Sequence, residues 1–110
     1  MVVNLTPHAV RIVDKTTGVV TKEFASEGLA RATSTSHEVG QIEGISIVEQ
    51  TFGEVYGLPE YAEDTYYIVS LVTAQAAKAA GRRTDDLLLT SSPVRNAEGQ
   101  IIGCECLARI

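Results

Sequence analysis

The sequence predicts an α+β domain: a mainly antiparallel β-sheet or partial barrel with one alanine-rich helix packed on it. Short runs that alternate apolar and polar residues recur through the first half, which is the period-two signature of half-buried strands. Turn-forming residues separate these runs, as in Lys15–Gly18 and Glu43–Gly44. One segment alone, LVTAQAAKAAG from Leu71 to Gly81, reads as a helix. At 110 residues the chain is expected to form a single domain spanning residues 1–110.

The first element, around Val2 and Val3, ends in the polar stretch NLTPH from Asn4 to His8. Two readings compete for it: a strand-to-strand turn bent by Pro7, or a set of donors and acceptors over a ligand. AVRIVD (Ala9 to Asp14) and VVTKEFA (Val19 to Ala25) flank a KTTG turn and form a hairpin, with Phe24 most simply in the core. Leu29 to Thr33 is extended, and Arg31 lies on its flank. A second hairpin places EVGQI against ISIVEQTFGEVYG, where Gly53 marks a bulge or a close backbone approach.

LPEYAED is a loop, since Pro59 cannot join a central ladder. TYYIVS (Thr65 to Ser70) is dense in aromatic and β-branched residues and reads as a buried strand; Tyr66 and Tyr67 point to opposite faces. The helix follows, with Ser70 as its N-cap and Gly81 ending it in a left-handed conformation. RRTDD is a charged loop, LLLTSSPV a strand that bends at SSPV, RNAEG a turn and QIIGCECLARI the last strand. The total is seven or eight short strands.

A formal net charge of −5 argues against binding polymeric nucleic acid, which needs a basic face. No apolar run reaches the ~20 residues that span a bilayer, so no membrane partner is expected and a cytoplasmic location is. Cys104 and Cys106 lie two apart on a strand and cannot easily bridge each other. With only His8 and His37 to join them, a metal site is not expected. No cofactor motif is present, and a domain this small commonly gains stability at a subunit interface, so a homo-oligomer is expected.

No nucleophile elbow, phosphate loop or helical histidine pair occurs, so catalytic residues are not assigned and binding is favoured over enzymatic activity. Arg31 and Arg95 could grip an anion, because guanidinium groups contact phosphate bidentately, with Arg82 or Arg83 contributing from a neighbouring subunit to a pocket at or near a subunit interface. Arg82 and Arg83 also suit the negative end of the helix dipole. Thr90, Ser91 and Ser92 would add hydroxyl donors, and the helix N-terminus at Ser70 to Thr73 would add backbone donors. Asn4, Thr6 and His8 would bond a ribose or a base edge, and Tyr56 or Tyr66 would stack on the base.

NLTPHAV, GLARATST, FGEVYGLPE, YYIVS before an Ala-rich helix, GRRTDDLL and VRNAEGQIIGC occur in that order across nearly the whole chain. In this the chain resembles small uncharacterised phage and prophage proteins, which implies the cytoplasm of a bacterial host. By analogy it is similar in kind to the Thoeris and CBASS anti-defence sponges, which capture cyclic ADP-ribose isomers or cyclic oligonucleotides without cleaving them. The expected function is therefore sequestration of such a signal by a homo-oligomer. The alternatives are a phosphodiesterase that uses His8 or His37 as a general base, and a phage structural or adaptor protein.

Overall fold

The computed structural model describes residues 1–110. Eight strands and one helix run in the order β1 (Val2–Asn4), β2 (Val10–Val13), β3 (Val20–Phe24), β4 (Arg31–Ile42), β5 (Ile45–Tyr56), β6 (Tyr66–Ile68), α1 (Leu71–Ala79), β7 (Leu87–Arg95) and β8 (Ile101–Ala108). Six strands form one sheet in the order β1-β6-β7-β8-β2-β3. A bridge between Asn4 and Ser26 links its two ends, so the sheet nearly closes into a barrel. The fold is the α+β class expected, and antiparallel pairing predominates in β2–β3, β7–β8 and the long β4–β5 ladder.

Short parallel pairings join β1 to β6, β6 to β7 and β2 to β8. The β6–α1–β7 unit explains one of them, because parallel neighbours need a crossover and the helix provides it. Central position also explains why β6 is apolar on both sides, as parallel strands covered on two faces must be. Tyr67 enters a core with Leu5, Ala30, Val69, Ala74, Ala77 and Leu87, while Ile68 packs with Val10 and Cys104 in a second cluster. Phe24 packs against that second cluster, and Tyr66 is half-buried where Tyr67 is buried.

The helix ends as its sequence dictates. Ser70 caps it by accepting from the Thr73 amide, and Gly81 at φ +86 sits in a Schellman turn, with Arg82 N donating to Ala77 O and Gly81 N to Lys78 O. Ala74, Ala76 and Ala77 are buried, and these small side chains let the helix lie close to the strands it covers. Thr73 Oγ1 ties it to the chain beyond by donating to Ala30 O at 3.3 Å.

The second hairpin departs from the expected layout. Arg31–Thr33 of the expected extended stretch and the EVGQI strand are parts of one continuous strand, β4, which pairs with β5 from end to end with two register shifts, while Leu29 and Ala30 precede it. This pair forms a sheet of its own. Only its root packs on the body, through Ala30, Val55 and Leu58; residues 33–51 are all exposed. The Cα radius of gyration is accordingly 16.5 Å, where a compact chain of 100 residues has about 13 Å.

Glycine is required at the root. Gly57 has φ +78, and a Cβ there would collide with Leu29 O. Gly53 fulfils both parts of its sequence reading: it lies at a register shift and its backbone meets the Thr33 hydroxyl. In β7 the SSPV stretch stays in the strand, Pro93 opposite Cys104, with the bend absorbed at Ser92, whose φ is 55°.

Candidate functional site

NLTPH forms the corner between β1 and β2, and Asn4 is its fixed point. Its amide nitrogen donates to His8 O at 2.8 Å and Phe24 O at 2.9 Å. Its carbonyl oxygen accepts from Thr6 N at 3.0 Å and Thr6 Oγ1 at 2.6 Å. Both N–H donors and both lone pairs are thereby used, and the side chain is 0% exposed. Asn4 therefore holds the barrel seam and has no bonding capacity to offer a ligand, which corrects the second reading of this residue.

The same corner projects His8 outward between two grooves. One, of about 630 Å³, is lined by His8, Arg11, Thr90, Ser91 and Cys104 among others; the second, of about 410 Å³, is lined by Thr6, His8, Ser70, Leu71 and Thr90 among others. His8, Ala9, Val10 and Thr90 border both. The site thus brings together Thr6, His8, Thr90 and Ser91 of the expected set, with Ser70 at the helix N-terminus.

Within one protomer the expected arginines lie apart from these grooves. Arg82 sits below the helix, making a bidentate pair with Asp86 at 2.8 and 2.9 Å and donating also to Pro59 O and Arg83 O. Arg83 pairs with Asp85 and lies 3.7 Å from the centroid of the Tyr61 ring. The Asp85 carboxyl is held below its usual range, chiefly by that guanidinium. Arg95 donates to Gly99 O at 2.8 Å and borders a separate hollow with Lys15. Arg31 faces Tyr56 across the arm root, and the Tyr56 hydroxyl donates to Glu54 Oε2 at 2.8 Å. Tyr66 is half-buried in β6, paired with Val2. Within one protomer these residues do not converge.

The cation that lines the larger groove is Arg11, whose Nε is 3.5 Å from Glu23 Oε2. Both side chains are about half exposed, so the pair is weak and the guanidinium can be recruited. Sequence reading passed over Arg11 because it is simply the outward polar position of an alternating hairpin strand. Gly103 matters to its placement: a Cβ there would lie 2.7 Å from Arg11 O and 2.5 Å from Val13 Cγ2. Glycine is therefore what lets β2 approach β8 closely.

Cys104 closes the floor of the groove. Its thiol donates to Arg11 O at 3.7 Å, and burial pushes its pKa up, which makes it a poor nucleophile. Cys106 is exposed, and neither cysteine is bridged. Iodoacetamide at neutral pH should therefore alkylate Cys106 in the folded protein and Cys104 only after unfolding. Peptide mass mapping checks this, and equal labelling of both would mean that the β2–β8 seam opens readily.

Neither groove is lined by a carboxylate. Their chemistry is one guanidinium, one imidazole and several hydroxyls around an apolar floor, a set suited to holding an anion with an attached apolar or aromatic part. No family model, curated protein or solved structure matches this chain. No helix is long and apolar enough to cross a membrane.

Proposed function

We propose that this chain is a binding protein that sequesters a cyclic nucleotide signal, a cyclic ADP-ribose isomer or a cyclic oligonucleotide, and so suppresses a bacterial anti-phage response without cleaving the signal. The observation that carries the binding reading is the meeting of the two grooves at His8 and Thr90. Arg11 and Ser91 would take a phosphate in the larger groove, Thr90 and His8 would bond the ribose, and the smaller groove beside Ser70 would take the remaining part of the ligand. The anti-defence role rests on the resemblance to phage proteins. Capture needs affinity rather than transition-state complementarity, in keeping with a lining that holds donors but no carboxylate and a protonated Cys104.

The test is to titrate cyclic ADP-ribose and cyclic dinucleotides against the protein by calorimetry, then heat the complex and identify the released molecule by mass spectrometry. Intact ligand is the expected product, whereas a cleaved product would favour a phosphodiesterase. Arg11→Ala should weaken binding by about tenfold or more, the loss of a charge-assisted hydrogen bond, and Arg95→Ala should leave it unchanged. If no nucleotide binds or raises the melting temperature, a structural or adaptor role takes precedence.

A further inference from the structure

The β4–β5 arm is unusual in what it leaves uncovered. From residue 33 to 51 neither strand has a third partner, neither face is packed and every side chain is exposed. A two-stranded ribbon in water is marginal on its own, and only 15 of the 110 residues are buried in the whole protomer. The arm nonetheless keeps a paired register to its tip, where Ile42 faces Ile45.

The distribution of side chains along it is ordered. Ile42 and Ile45 are 64% and 63% exposed at the tip, and the register puts Ile47, opposite Gly40, on the same face. Leu29 and Tyr56, 47% and 53% exposed, form a second apolar patch at the root. Between them on that face lie the paired Thr35 and Thr51, which share a hydrogen bond, and the pair His37 and Glu49. Charge is placed at both ends of the same face. Arg31 stands at the root with no carboxylate in salt-bridge contact in its own protomer, the nearby Glu54 being engaged by the Tyr56 hydroxyl, while Glu43 stands in the turn at the tip.

The geometry points to a second copy of this chain as the partner of the arm, two arms lying antiparallel about a two-fold axis. That arrangement sets the isoleucine tip of each on the Leu29–Tyr56 root of the other, brings each Arg31 toward Glu43 of the second copy and leaves the Thr35–Thr51 pairs facing one another at the centre. It is self-complementary, as an isologous interface must be, with apolar anchors at its two ends and opposite charges beside them. A twelve-residue strand spans about 40 Å, long enough for both contacts at once. It also explains an arginine that the ligand grooves do not use, and it stands whether or not a nucleotide binds.

Sedimentation velocity on the full chain at about 50 µM tests the arrangement. The expected species has twice the 11.8 kDa chain mass. Ile42→Lys with Ile45→Lys should yield the monomer, while the far-UV circular dichroism and the protection of Cys104 are retained, since both positions are exposed. Arg31→Glu should weaken the dimer by about tenfold, and adding Glu43→Arg should restore it. A wild-type monomer overturns the proposal, and so does a dimer that survives both lysines, which would have to assemble through another surface.

Discussion

Replacing Asn4 with alanine should lower the melting temperature by on the order of 15 °C, although the position is a short polar residue in a turn. The side chain satisfies two backbone carbonyls, of His8 and Phe24, and two donors of Thr6. Truncation strands these groups at a buried seam. Each unsatisfied buried group costs ~1–3 kcal/mol, and since Thr6 is half-buried and can reach water, a total of about 3 kcal/mol is expected. A small domain loses ~4–8 °C per kcal/mol. Asn4→Asp should be at least as damaging, because it keeps the shape but aims a carboxylate at two carbonyl oxygens. Thermal unfolding followed by circular dichroism checks both; a fall of only a few degrees in each would mean that the Asn4 side chain does not hold the barrel closed.

Arg82→Leu should cost about 4 kcal/mol, because it leaves a carboxylate buried without its partner. Asp86 is 1% exposed and Arg82 is 20% exposed, so the two halves of the pair are unequal. Asp86→Ala leaves a cation that still reaches solvent and should cost less, about 3 kcal/mol. The Arg82 guanidinium also donates to Pro59 O and Arg83 O, so its loss frees the loop after β5 from the start of β7. The double variant Arg82→Leu with Asp86→Leu should recover much of the stability, since removing both charges removes the desolvation penalty. Urea titration of the three variants measures this. A double variant no more stable than Arg82→Leu would show that the unpaired Asp86 carboxylate carries no desolvation penalty for its removal to relieve.

These two side chains show how far local pattern reaches. Ser70 and Gly81 bracket the helix in the sequence as they do in the fold, because capping and left-handed termination involve neighbours a few residues apart. The hairpins at Lys15–Gly18 and Glu43–Gly44, the loop at Pro59 and the buried strand at Tyr66–Ile68 were legible for the same reason. The extra length of β4 was not, since TSTS carries no apolar alternation and an exposed ribbon needs none. Of the expected ligand residues, Thr6, His8, Thr90 and Ser91 do gather at the grooves, whereas Arg31, Arg82, Arg83 and Arg95 scatter.

What the sequence by itself determined, then, is the kind of elements and their order: a run of seven or eight strands, one capped helix, two hairpins and the corner at NLTPH, each specified by residues close along the chain. Only the tertiary structure decided that β1, β6 and β7 run parallel, that the sheet nearly closes through Asn4, that Arg11 is the groove's cation and that β4–β5 stands away from the body. Those outcomes depend on contacts between residues far apart in the chain, such as Asn4 with Phe24 and Cys104 with Arg11. Periodicity specifies which face of a strand is apolar, and only packing specifies which face of another strand it meets.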